Sequence, residues 1–226
     1  FPLLPSVLVT AFGNEDLAAE ALGVGAANYI SKDHVATLLP EMVNRIVHFS
    51  RANDDSLMIK AAMARTPLEF TLDCSVERVT TLVCLLLRLL AAMNVLHTGD
   101  RIRMAEALDY LLFHSIVHGN LEEPATEAPI TRCAAADMAE SKIAEDSNGS
   151  LSERNVTVSL DVTDREARFV VYYDGEGESI AHAPLPGTPQ SFSDERGRGM
   201  LLLTSVMNEV FIDPATSDVT LVKYIG

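Results

Sequence analysis

Four short runs carry the residues best equipped for chemistry. The first, HSIVHGNLEEP (114–124), closes an apolar segment and sets His114 and His118 four positions apart. On a helix that spacing puts two imidazoles on one face, where they can share a zinc ion. The only third ligand nearby is Glu122, beyond Gly119. The competing reading is a half-buried histidine pair under a loop, with Gly119 as an ordinary helix stop. The second run, DGEG (174–177), sets Asp174 beside Gly175 and Gly177. The third, Gly197-Arg198-Gly199, precedes a helical stretch. Glycine there lets backbone N–H groups approach an anion, and the helix dipole assists; the same residues also serve as a flexible entry turn. The fourth pairs Thr10, at a strand end, with Lys32.

The elements that position these residues read as α/β. SVLVTA (6–11) is a short apolar strand, NEDLAAEALGVGA is a helix with Asn14 as its N-cap, and NYISK (28–32) is a second strand. His34 to Ser50 is amphipathic, with Leu38, Leu39, Met42, Val43, Ile46 and Val47 on one face. This β-α-β-α pattern predicts parallel strands under covering helices. Residues 51–68 form a helical or linker stretch punctuated by Pro67. EFTLDC (69–74) is a strand. Residues 75–93 form a helix capped by Ser75 and apolar on nearly every side, buried or at a subunit contact. Residues 100–119 form a second long helix capped by Asp100. A partial helix near 130–145, a β-hairpin over NVTVSLDVTDREARFVVYYD, a Gly- and Pro-rich loop (178–196), a helix and a last strand complete the chain.

Composition narrows the function classes. The 226 residues are 48% hydrophobic, enough for one large or two modest cores, and the net charge is −15. That field disfavours nucleic acid and anionic membrane surfaces as partners. Cys74, Cys84 and Cys133 lack metal or redox spacing and suit a reducing compartment, and Cys84 reads as core. The longest apolar run, Leu82 to Met93, is interrupted by Arg88 and is too short for a bilayer. A soluble, cytoplasmic protein without a signal segment is expected, with the acidic stretch 137–153 as a solvated face.

Residues 70–226 resemble the histidine-kinase-like ATPase domain of the anti-sigma-factor serine kinases, as found at the C-terminus of bacterial response regulators. EALDYLLFHSIVHGNLE (106–122), FVVYYDGEGESI (169–180), GRGMLLLTSVMNEV (197–210) and DVTLVKYI (218–225) carry the likeness, in the family's order and spacing. Residues 1–48 resemble the second half of a receiver domain. Thr10 falls at its switch hydroxyl, Tyr29 at its switch aromatic and Lys32 at its phosphate-facing lysine. The receiver's first half, with its phospho-accepting aspartate, is not in this sequence. The strand edge it would cover needs a partner strand, from another copy or from upstream sequence. The expected organisation is a partial receiver-like module (1–50), a linker (51–68) and a two-layer α/β sandwich of the ATPase fold (69–226).

The resemblance also implies a pocket for ATP and magnesium. In the family an asparagine four residues before the histidine of His-Gly-Asn holds the metal, and a glutamate eight residues before it is the general base. Counting back from His118, with Asn120 closing the motif, gives His114 and Tyr110. These positions share one helix face. Imidazole is a poor magnesium ligand, and tyrosine is a poor base near neutral pH. Shifting the register by one turn makes Glu106 the base but leaves Tyr110 at the metal position. The adenine-reading aspartate falls on Tyr173, with Asp174 one step off and so on the opposite strand face.

Two functions follow. One is a non-catalytic signalling module, its kinase-like fold kept for binding a protein (an anti-anti-sigma-type protein or a sigma factor) without nucleotide. The other is an active serine protein kinase using ATP and magnesium. A third reading makes helix 75–93 a homodimer contact.

Overall fold

The computed structural model describes residues 4–11, 15–51, 67–93, 99–124, 131–163, 165–184, 188, 195–213, 216 and 218–225. The expected Asn14 cap, the linker over 52–66, Asp164 of the hairpin turn and residues 185–187 and 189–194 of the loop 178–196 lie outside the described residues. The protein is mixed α/β, with helices and two sheets.

The first sheet joins β1 (Val7–Thr10) and β2 (Asn28–Ser31) in parallel, from Val7 opposite Asn28 to Thr10 opposite Ser31. Helix α1 (Glu15–Gly23) connects them. It closes where Ala26 N–H donates to the Ala21 carbonyl, and Gly25 takes φ 108°, a left-handed backbone that glycine adopts without strain. A 3-10 turn (Lys32–His34) then leads into α2 (Val35–Arg51). The six-residue apolar face expected for α2 is narrower in the structure. Met42 and Ile46 are buried, whereas Val43 and Val47 are exposed. At about 100° per residue, neighbours in sequence straddle the edge of the buried stripe.

The second sheet is antiparallel, in the order β3-β4-β5-β7-β6. Its strands are β3 (Leu68–Leu72), β4 (Val156–Val162), β5 (Glu166–Tyr173), β6 (Glu209–Ile212) and β7 (Val219–Tyr224). Alternation in β4 and β5 turns Val156, Val158, Leu160, Ala167, Phe169, Val171 and Tyr173 to one buried face, while Asp161, Arg168 and Tyr172 are exposed on the other.

The buried face packs against α3 (Glu77–Ala92), α4 (Asp100–His114) and α7 (Glu195–Val206). Between α4 and α7 run a π-helical turn (Ser115–Asn120), α5 (Arg132–Glu145) and the short α6 (Ser150–Glu153). The apolar character of α3 is spent inside the chain. Leu82, Val83, Leu86, Leu87 and Leu90 are buried, and the exposed residues described on α3 are Glu77, Arg78, Thr81, Leu85 and Arg88.

Two expected caps are replaced. Val76 holds the N-cap place of α3 without a side-chain bond, while Ser75 N–H donates to Asp73. Gly99 precedes α4, and Asp100 instead pairs with Arg103 and with Lys223 at 3.3 Å.

Ala18, Leu22, Tyr29 and Phe49 of the N-terminal segment belong to the same apolar cluster as the sheet and its helices, and a satellite of Ala27, Ile30, Met42 and Ile46 lies beside it. Among the described residues, no helix is long and apolar enough to cross a membrane.

Candidate functional site

Helix α4 and its π-helical extension set Tyr110, His114 and His118 in a column. The Tyr110 and His114 rings stack with centroids 6.0 Å apart, and His114 and His118 are tilted at 5.0 Å. His114 is buried, and its Nε2 meets the Glu178 carbonyl at 3.1 Å. His118 Nδ1 meets the Glu123 carbonyl at 2.7 Å. A carbonyl only accepts, so each of those nitrogens carries the proton. Glu122, the third ligand a zinc site would need, adopts φ 53° and pairs with Arg154 at 2.6 Å. Among the described residues, no group of three or more His, Cys, Asp or Glu side chains is placed to hold a metal ion.

Gly119 is not a left-handed helix stop: positive φ occurs among the described glycines at Gly25 and Gly149. It is instead a contact glycine. A Cβ there would lie 2.5 Å from the Tyr173 ring, which is itself buried. Gly175 and Gly177 do similar work. Side chains on them would strike the backbone of Gly119 and of His118, respectively. The segments are stitched together by Gly177 N–H to the Gly119 carbonyl (3.1 Å), Glu178 N–H to the His118 carbonyl (2.8 Å) and Gly175 N–H to Asn120 Oδ1 (2.8 Å). The glycine spacing thus admits the protein's own backbone. Arg154 fixes the same corner by donating to the Asn120 carbonyl at 2.5 Å.

Asp174 is exposed and faces away from this corner. Its carboxylate accepts from Asn155 N–H at 2.8 Å, and its own N–H donates to the Asn155 carbonyl at 3.2 Å. The one-step offset therefore places Tyr173 inside and Asp174 outside, as strand alternation requires. At the start of α7, Gly197 and Gly199 are buried, and a Cβ on Gly199 would fall within the Tyr110 ring. Arg198 points to the N-terminal segment, donating to Asn28 Oδ1 at 3.1 Å with its guanidinium 5.9 Å from the Tyr29 ring centroid.

Sequence reasoning missed a buried charge cluster on the other side of α4. Glu106 and Asp109 are both buried. Arg45 of α2 grips Glu106 with two bonds, Nε at 3.1 Å and Nη2 at 2.9 Å, and its Nε lies 3.3 Å from Asp109. Asp109 also accepts from Arg132 of α5 and, at 3.3 Å, from Thr80. Asn28 donates its side-chain amide to Glu106. Burial by itself would loosen the Arg45 proton; the carboxylates of Glu106 and Asp109 more than reverse this, so the guanidinium stays charged. Glu106 is therefore engaged by a cation and an amide, and is unavailable as a base. A sequence signal existed: two acids three positions apart inside an apolar helix demand buried cationic partners.

In the N-terminal segment, the parallel register brings Thr10 opposite Ser31, at the same strand ends as Lys32. Lys32 is exposed, and Thr10 donates to the adjacent Ala11 carbonyl. Tyr29 is turned inward and buried.

A scan against protein-family models finds no match to this chain, and a search among curated proteins finds no significant relative. The site must be judged on its own chemistry. A pocket for ATP and magnesium needs a hard oxygen ligand, a base and an adenine acceptor. The places that the resemblance noted from the sequence would assign to these groups hold the buried imidazole of His114, Tyr110 seated on Gly199, and the Tyr173 ring seated on Gly119. These residues do not fit that cofactor pair.

Proposed function

We propose that this chain is a bacterial signalling module of the response-regulator output type. Its C-terminal part is a two-layer sandwich of the histidine-kinase-like ATPase fold, used for protein binding rather than phosphoryl transfer. The N-terminal β-α-β-α segment is the second half of a receiver. The observation that carries the loss of nucleotide binding is the Tyr173 ring lying on Gly119 while Asp174 is tied to Asn155. A carboxylate facing the corner would read an adenine amino group; a phenol ring fills the space instead. The kinase alternative loses its fallback as well, because Glu106 is held by Arg45. By the same resemblance, the partner is an anti-anti-sigma-type protein or a sigma factor.

Isothermal titration of the whole chain with ATP and magnesium chloride tests the reading. No binding is expected below about millimolar nucleotide, a free energy weaker than about −4 kcal/mol. Micromolar affinity would overturn it and return the serine kinase to first place.

A further inference from the structure

The turn between α5 and α6 holds the one Asn-Gly pair of the sequence, Asn148–Gly149. Asparagine is the more prone to lose ammonia the less its successor shields the backbone nitrogen, and glycine has no side chain to shield it. Asn148 is exposed, and among the described residues no hydrogen bond holds its side-chain amide. The amide carbon and the nitrogen that can attack it are therefore neighbours in open solvent.

The backbone around them is not free. The Asp146 carbonyl accepts from Gly149 N–H at 3.1 Å. The Asp146 carboxylate accepts from Asn148 N–H at 3.1 Å, from Leu151 N–H at 2.6 Å and from the Ser150 hydroxyl at 3.2 Å. Neither Ser147 nor Asn148 takes positive φ, so residues 146–149 form a type I turn, which Gly149 leaves at φ 69°. The third residue of such a turn has ψ of about 0°. A succinimide ring needs the Asn148 Cβ and the Gly149 nitrogen nearly eclipsed about the Cα–C bond, and that ψ excludes it. The proton that Gly149 must give up is also the one the Asp146 carbonyl holds.

We propose that Asn148 is a self-modification site, converted by its own backbone to aspartate or isoaspartate, and that the turn centred on Asp146 is the brake on this conversion. When the turn opens, the Gly149 nitrogen gives its proton to hydroxide or a buffer base and attacks Asn148 Cγ. The N–Cγ bond forms, the Cγ–Nδ2 bond breaks, and ammonia leaves with a proton taken from water. Water then opens the succinimide. Cleavage of the new N–Cγ bond yields aspartate; cleavage of the original peptide bond leaves the main chain running through Cγ, as isoaspartate. No electrons are exchanged with an outside reagent. Either product adds a negative charge to the turn, and isoaspartate also lengthens the main chain between Asp146 and Leu151. The site requires neither nucleotide nor partner, so the titration above leaves it standing or falling on its own.

Peptide mapping by mass spectrometry, on the full chain incubated in mildly alkaline buffer, tests it, with enzymatic methylation of isoaspartate as a second readout. The native chain exchanges NH2 for OH at Asn148 more slowly than the guanidinium-unfolded chain by on the order of tenfold, because hydrogen bonds of the turn must open first. Folded Asp146→Ala converts within about threefold of the unfolded rate. In Asn148→Gln the product disappears, since glutamine would have to close a larger ring. A native chain that never converts at Asn148 overturns the site. Equal rates in folded and unfolded wild type, or Asp146→Ala as slow as wild type, overturn the brake. Should Asp146→Ala not fold, the comparison of native with unfolded wild type decides alone.

Discussion

Replacing Gly119 with alanine gives opposite signs in two backgrounds if the Tyr173 ring truly occupies the corner. The three atoms nearest to an added Cβ are all Tyr173 ring carbons, at 2.5, 2.6 and 2.9 Å. Carbon atoms settle at about 3.5–4.0 Å, so the ring would have to retreat by roughly 1 Å. It has little room to do so, being buried on β5 beside Val156 of β4. Overpacking of this kind costs about 1–3 kcal/mol. Against it stands the helical preference of alanine over glycine, about 1 kcal/mol, which applies because Gly119 lies in the π-helical turn without positive φ. The net expectation for Gly119→Ala is a loss of up to about 2 kcal/mol, a factor of up to about 30 in the folding equilibrium.

Tyr173→Ala alone removes a buried ring and costs about 3–5 kcal/mol. In that background the clash is gone, and Gly119→Ala now stabilises by up to about 1 kcal/mol. Urea midpoints at constant slope, for the four members of the cycle, read both values. Equal destabilisation by Gly119→Ala in both backgrounds would refute the placement of the ring, and with it the argument that the corner is filled.

Two further expectations concern titration. Burial alone would raise the Asp100 carboxyl, but Arg103 and Lys223 more than offset this and hold it below its ordinary 3.8. A depressed folded value means that its contribution is complete above the unfolded pKa and is lost as pH falls through the folded one. Urea midpoints of wild type should therefore fall more steeply than those of Asp100→Asn as pH drops below about 4, and parallel curves would count against the ion pairs. Burial also pushes the Cys74 and Cys84 thiols up, whereas Cys133 is exposed at the start of α5. A thiol reagent at pH near 8 should modify Cys133 first and the other two only on unfolding; early labelling of Cys84, followed by mass spectrometry, would contradict its packing.

Periodicity in the sequence was enough for the elements whose buried face is set locally. The alternation of NVTVSLDV and EARFVVYY specifies two strands, because a one-residue slip would turn Phe169 and Val171 to solvent. The same rule predicted that Tyr173 and Asp174 face opposite ways. Local pattern also located the apolar helices and the parallel β1-β2 pair. It misread the caps at Ser75 and Asp100, where the competing partners Asp73, Arg103 and Lys223 come from elsewhere. It misread Gly119, because a stop glycine and a contact glycine look alike until the opposing ring is known.

What tertiary structure alone decided is the identity of the groups that meet. Arg45 and Glu106 are 61 positions apart, and Arg198 and Asn28 are 170 apart. No local spacing encodes such a meeting; it follows from packing the first two helices and the last one against α4. Sequence determined which side chains needed to be buried and which faces they shared. The fold determined that a buried carboxylate would find its cation in the N-terminal segment, because an anion withdrawn from water is tolerated only where a counter-charge is brought to it.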